Sequence, residues 1–328
     1  MSSRREFIAL LGGAAAMWPL AARAQQPALP VIGLLTTKGA GDTPHLLAAV
    51  RQGLKDTGFA EGQNVAIEYR FAGNKSEQLP ALAADLVHRQ VTAIVTTGTA
   101  AALAAKTATT TIPIVFETGG DPVRLGLVAS LNRPGGNITG VTQLSTAVAP
   151  KRLELLHELV PTATVIALLV DPTDPAPAES VSRALQAAAR SFGLELHVLS
   201  ASSERDFDAV FAKVIQLRAG GLVIGSHAFF TARSEQLAGL AVRHAVPTVY
   251  AYREFVAAGG LASYGGAITE QYRLAGVYAA RILKGEKPNE LPVQQVTKVE
   301  LFLNLKAAKA LGITVPLPLL GRADEVIE

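Results

Sequence analysis

Short apolar runs alternate with segments of helical hydrophobic period along the chain from residue 31 onward, and this alternation leaves few folds open. Apolar runs at Val31–Leu35, Val65–Tyr69, Ala93–Val95, Ile112–Phe116 and Ile138–Val141 read as strands. A second series follows at Val165–Val170, Glu195–Leu199, Leu222–Ile224, Val246–Tyr250, Leu261–Tyr264 and Val296–Leu303. The segments between them carry apolar residues three and four apart, as in Leu79, Leu82, Ala83, Leu86 and Val87. Strand–helix alternation predicts α/β architecture, with parallel sheets flanked by helices on both faces. About ten such strands exceed the five or six of an ordinary sheet, so the chain is expected to form two lobes. Loops near 97–122 and near 171–253 would then face each other across a cleft.

Within this pattern the stretch Ala93–Leu127 places two strands, each followed by small polar residues. Thr96–Thr97–Gly98–Thr99 leads into the alanine-rich helix former AAALAAK. Glu117–Thr118–Gly119–Gly120–Asp121–Pro122 follows the second strand, with Pro122 suited to the first turn of another helix. Hydroxyls and free N–H groups at a helix start suit a carboxylate or other small anion, and they equally suit plain helix capping. Glu117 and Asp121 could be paired carboxylates, although Asp121 before Pro122 also has the form of an N-cap.

Function classes drop out by composition. Cysteine is absent, which excludes disulfides, thiolate metal sites and cysteine nucleophiles. No G-x-S-x-G elbow, phosphate-binding G-x-x-x-x-G-K-[ST] loop or complete dinucleotide fingerprint occurs. The six histidines show no metal-ligand spacing; His227 differs from the rest in standing at the carboxyl end of a strand. No cofactor is expected.

The N-terminus reads as a targeting signal. Ser3–Arg4–Arg5–Glu6–Phe7–Ile8 matches the twin-arginine pattern, an apolar stretch runs from Ile8 to Ala22, and Ala22–Arg23–Ala24 is a small-x-small cleavage site. Cleavage between Ala24 and Gln25 is expected, with residues 1–24 as the signal peptide. Removing Arg4, Arg5, Arg23 and Glu6 from 30 basic and 27 acidic residues leaves 27 and 26. A net charge of +1 and the lack of a basic run argue against nucleic-acid binding.

The runs LPALAADLV, LVASLNRPGGNITGVT, RHAVPTVY, REFVAAGGLASYG, LAGVYAARILKGEKP and the closing RADEVIE resemble periplasmic substrate-binding proteins of ABC transporters with the type I binding-protein fold. The resemblance implies two Rossmann-like lobes joined by three crossovers, near Val141–Gln143, Ser263–Gly266 and Val293–Val296. Lobe 1 would hold residues 28–141 and 266–294, and lobe 2 residues 142–265 and 295–328. It also implies a small-molecule ligand, permease subunits in the inner membrane as partners, a periplasmic monomer and no catalysis. The residues expected at the ligand are Thr37, Thr97, Gly98, Thr99, Thr118, Gly119, Asp121, Asp171, Thr173, His227, Tyr252 and Arg253. Relatives often carry an acidic residue where His227 stands and a glutamate where Ala251 stands. An amino-acid ligand needs an acceptor for its ammonium, and Asp171, Asp174 or Glu117 could substitute for the missing carboxylates; the expected ligand is a carboxylate, an aromatic acid or an amino acid, with the balance tilted toward the first two. Two other functions share some of these features: a ligand sensor serving a receptor kinase, and a secreted α/β hydrolase, which the missing nucleophile motifs disfavour.

Overall fold

The computed structural model describes residues 29–42, 44–143 and 145–328. Arg4, Arg5, Ala24 and Gln25, on which the export reading rests, lie outside the described residues. The strands are β1 (Val31–Thr36), β2 (Ala66–Phe71), β3 (Ala93–Thr97), β4 (Ile114–Thr118), β5 (Ile138–Thr142), β6 (Val165–Val170), β7 (Glu195–Ser200), β8 (Gly221–Ile224), β9 (Thr248–Tyr250), β10 (Ala262–Gly266), β11 (Gln294–Gln295), β12 (Val299–Asn304) and β13 (Glu325–Ile327). They form two sheets, ordered β11-β5-β4-β3-β1-β2 and β13-β12-β10-β9-β8-β6-β7. All pairings are parallel except β10 with β12. Helices cover both faces, which is why the central strands are nearly continuous apolar runs: Ile32, Leu34, Leu35, Ile94, Val95, Ile114 and Val115 are all buried.

The chain passes between the sheets three times. It leaves the first after Thr142, returns between Gly266 and the helix Ile268–Leu283, and leaves again between Gln295 and Val299. Thr142, Gly266 and Gln295 each fall one residue on the other side of the expected lobe boundaries, because each still pairs in the strand it ends.

Each sheet reverses its order once, between β1 and β3 in the first and between β6 and β8 in the second. Loops leaving the strands on either side of such a reversal diverge and open a crevice. The two crevices face each other here.

One helix crossing holds the cleft wall in place. The helix Pro44–Asp56 packs on the helix Ile268–Leu283 through Gly53 and Gly276. A Cβ on Gly53 would lie 1.8 Å from the Arg273 carbonyl oxygen, and one on Gly276 would lie 2.1 Å from that of Val50. Only glycine permits this approach. A buried apolar cluster then joins Leu34, Leu46 and Val50 of the first lobe to Phe207, Phe229 and Phe230 of the second.

Several sequence expectations need correction. No helix follows Pro122: Asp121 Oδ1 accepts the N–H groups of Val123 at 2.9 Å and Arg124 at 3.3 Å, and a single turn forms. Gly126 at φ 69° ends it and sends Leu127 and Val128 into the core. The segment after β8 forms two helices, Ala228–Ala232 and Ser234–Arg243, divided at Arg233. The short edge strands β11 and β13 have no apolar pattern of their own to announce them.

Candidate ligand-binding cleft

Between the lobes lies a cleft with about 870 Å³ of atom-free space, its open mouth included. Its walls come from strand ends. The first lobe contributes Thr37 and Lys38 after β1, Gly98 and Thr99 after β3, and Glu117, Gly119 and Gly120 at the end of β4. The second contributes Asp171 and Asp174 after β6, Ser226 and His227 after β8, and Tyr252 after β9. Arg152 reaches in from the helix Ser145–Leu159, and Tyr272 from Ile268–Leu283. Val170, Pro177, Ala178, Val181, Phe230 and Ile268 supply apolar surface.

Gly98 stands at φ 92°, ψ 151°, a conformation that side chains disfavour. That conformation lets its N–H donate to the Glu117 carbonyl oxygen at 3.0 Å and to Glu117 Oε2 at 3.3 Å. The Tyr272 hydroxyl also hydrogen-bonds Glu117. Burial pushes the Glu117 carboxyl up to about 7, against the pull of the Lys38 charge. Burial likewise pulls the Lys38 ammonium down to about 8, with Glu117 opposing. Lys38 Nζ sits 5.3 Å from the centre of the Tyr272 ring and has no hydrogen-bond partner.

In the second lobe Asp171 is fully engaged. Its Oδ1 accepts the Thr173 N–H at 2.8 Å and the Thr173 hydroxyl at 2.6 Å, and its Oδ2 lies 3.0 Å from His227 Nδ1. Burial alone would raise this carboxyl, but His227 and Thr173 together hold it below the usual range. The buried Tyr252 hydroxyl accepts from Gln143 Nε2 at 2.6 Å and shares a 2.5 Å hydrogen bond with Ser226 Oγ.

Arg152, like Lys38, departs from this pattern of satisfied groups. It is 1% exposed, and its Nε donates to the Tyr264 carbonyl oxygen at 2.7 Å. Among the described residues Nη1 and Nη2 are buried with no hydrogen-bond partner, and Arg152 takes part in no salt bridge there. Burial pulls the guanidinium down to about 10. A buried cation without a counter-charge is costly unless something arrives to pair with it.

The family is decided by the span of chain that matches it. A family model described as ABC transporter substrate binding protein matches residues 44–327. The chain belongs to that family. It is therefore a solute-binding protein and not an enzyme, and its two mostly parallel α/β lobes are those of type I binding proteins. A tyrosine-binding protein of Clostridioides difficile is 25% identical over 260 residues, covering 79% of this chain and 74% of the relative. An ABC domain from Streptococcus pneumonia solved with L-Trp superposes with a TM-score of 0.80 at 23% identity, over 92% of this chain and 100% of that one. A conserved domain protein from Vibrio cholerae gives a TM-score of 0.82 at 27% identity, over 91% of this substrate-binding protein and 100% of its own chain.

Of the residues expected at the ligand, Thr37, Gly98, Thr99, Gly119, Asp171, His227 and Tyr252 line the cleft. Five do not. Thr97 donates its hydroxyl to Thr36 Oγ1 at 2.8 Å, behind the wall. Thr118 is fully buried against Thr99, hydroxyl to hydroxyl at 2.7 Å, and accepts the Gly120 N–H. Asp121 caps the turn described above, and Thr173 is spent on Asp171. Arg253 lies outside the cleft, in a two-bond ion pair with Glu325 at 2.6 and 3.0 Å. Lys38, Arg152 and Tyr272 were absent from the expected set. Lys38 could have been found by the strand-end reasoning that selected Thr37. Arg152 shares a helix face with Leu155, Leu156 and Leu159, so a charge on an apolar stripe was its signal.

Proposed function

We propose that this substrate-binding protein is the exported receptor of an ABC uptake system and closes its lobes on a small organic molecule bearing a carboxylate. The observation that carries this reading is Arg152: two buried, unpartnered guanidinium nitrogens in the wall of a cleft. A guanidinium fork matches a carboxylate in shape and charge. Lys38, from the opposite lobe, adds a second cation that lacks a hydrogen-bond partner. Phe230, Tyr272, Val181 and Ile268 suit an apolar or aromatic body. The relatives described as tyrosine-binding and as a complex with L-Trp handle ligands with both features. On this reading Thr37, Gly98, Thr99, Gly119, Asp171, His227 and Tyr252 contact or shape the ligand, and inner-membrane permease subunits receive it from a periplasmic monomer.

A thermal-shift screen of carboxylates, aromatic acids and amino acids tests the ligand class, because a ligand bound only by the native state raises the melting temperature. No shift with any of them would overturn it. Mass spectrometry of the periplasmic protein tests export, with an N-terminus at Gln25 expected and retention of residues 1–24 as the contrary result.

A further inference from the structure

A chain of hydrogen bonds runs from the hinge between the lobes to the cleft. Gln143 is buried and follows Thr142, where the backbone first leaves the first sheet. Its Nε2 donates to the Tyr252 hydroxyl at 2.6 Å, and that hydroxyl shares a 2.5 Å hydrogen bond with Ser226 Oγ. Tyr252 and Ser226 line the cleft, and Gln143 does not. The three passages between the sheets hold Gln143 in place. A Cβ on Gly266, at the second passage, would lie 2.8 Å from Gln143 Oε1 and 3.4 Å from the carbonyl oxygen of Lys298, at the third. The Val296 N–H donates to the Thr142 carbonyl oxygen at 2.7 Å and ties the third passage to the first. All three passages therefore meet around the Gln143 amide, in space that a side chain on Gly266 would fill.

These bonds have a direction. A side-chain amide nitrogen donates and does not accept, so the Tyr252 oxygen is the acceptor at the hinge end. Burial pushes the Tyr252 hydroxyl up to about 12, so it holds its proton at neutral pH. Among the described residues Ser226 Oγ is the one acceptor bonded to that hydroxyl. A buried hydroxyl proton without a partner is costly, so Tyr252 donates to Ser226. The Ser226 hydroxyl then has a proton of its own to place. It makes no other hydrogen bond among the described residues and is half-buried in the cleft wall, so the cleft is where that proton finds an acceptor.

We propose that Ser226 is a specificity-determining residue that donates a hydrogen bond to an oxygen of the ligand, and that Gln143 is the positioning residue that gives this donor its direction from the hinge. On the carboxylate reading above, on which this rests, the ligand's charged oxygens are strong acceptors. An acceptor facing Ser226 is favoured, and a donor placed there meets another donor.

Calorimetry with 3-phenylpropionate, 3-(4-hydroxyphenyl)propionate, L-tyrosine and L-tryptophan as probes tests this, with urea denaturation to establish that each variant folds. For the probes that bind, Ser226→Ala should weaken affinity about tenfold or more, as a hydrogen bond to a charged group would. Gln143→Met removes the amide donor at similar volume and should weaken it about threefold or more. In the Ser226→Ala background the same change should cost nothing further, because it acts through the missing hydroxyl. Gly266→Ala, which pushes on the Gln143 amide from the second passage, enters the same cycle should the methionine variant not fold. Unchanged binding by a folded Ser226→Ala protein overturns the inference and leaves the carboxylate reading intact. A Gln143 substitution that has no effect, or that weakens binding equally with and without the Ser226 hydroxyl, overturns the positioning role. Binding of none of the four probes overturns the carboxylate reading and this inference with it.

Discussion

Replacing Arg152 with methionine should separate ligand binding from folding. Burial lowers the guanidinium to about 10, which makes keeping the charge in place at neutral pH cost roughly 3 kcal/mol. Against this stands one charged hydrogen bond to the Tyr264 carbonyl, worth about 1.5–3 kcal/mol. Methionine fills a similar volume, removes the cost and forfeits the bond. The ligand-free variant should therefore melt within about 1 kcal/mol of the wild type, or above it. The bound state behaves differently, because a carboxylate in the cleft would lose its partner at a cost of about 2–5 kcal/mol, which is roughly 30-fold to several thousand-fold in Kd. Urea denaturation of the ligand-free protein measures the first quantity, and calorimetry with the tightest acid found in the screen measures the second. Arg152→Lys should fall between wild type and methionine, since an ammonium cannot form the two-pronged contact. A methionine variant that is several kcal/mol less stable yet binds normally would show Arg152 to be structural.

Gly98→Val should lower stability by about 1–3 kcal/mol, because φ 92° strains any side chain and a Cβ there would sit 3.3 Å from Thr37 Oγ1; urea denaturation beside Gly41→Ala, which meets nothing within 4 Å, checks it. Arg233 joins Glu204 and, across the cleft, Asp42 at 3.5 Å, so Arg233→Ala should shift the lobes toward an open form, visible as a larger radius of gyration in X-ray scattering, with a penalty of only about 0.2–1 kcal/mol for so long a contact. Glu117 has a native pKa raised to about 7 from 4.5, so the native state holds its proton more tightly than the unfolded chain does; its stabilising contribution is full below pH 4.5 and lost as the pH rises to about 7. Melting curves of Glu117→Gln across that interval should be flatter than those of the wild type, and an equal slope would place the titration elsewhere.

The lobes were legible because apolar periodicity depends on burial, and burial in a parallel sheet is nearly uniform along each strand. Val165–Val170 reads as a strand in the sequence and is β6 in the structure, with Ile166 to Val170 all buried. What periodicity lacks is information about partners. Glu325–Ile327 becomes a strand only because β12 offers an edge to it, and a three-residue segment carries no period to detect. The same gap separates the strand-end residues that were found from those that were misplaced. Strand-end reasoning put Thr97 and Gly98 at the same site, and they are adjacent, yet side chains alternate across a strand. Thr97 turns back to Thr36 while the Gly98 backbone faces the cleft. Arg253 read as anion-friendly from its charge alone, but its geometry is set by Glu325, seventy-two residues away.

Satisfied and unsatisfied polar groups also divide the cleft along a functional line. Thr36, Thr97, Thr99, Thr118 and Thr142 are buried and hydrogen-bonded, and they make the wall rigid. Lys38 and Arg152 are buried with unpartnered nitrogens, one from each lobe. Folds tolerate such inconsistency mainly where function requires it. On the carboxylate reading the placement has a conformational consequence. With the lobes apart, water solvates the Arg152 guanidinium at little cost; with the lobes together and no anion beside it, Nη1 and Nη2 lose that water. An anion binding there removes that penalty, so its affinity for the closed arrangement exceeds that for the open one by the energy it relieves. Differential affinity is what a ligand needs to drive closure, and a buried guanidinium without a hydrogen-bond partner at either Nη supplies it.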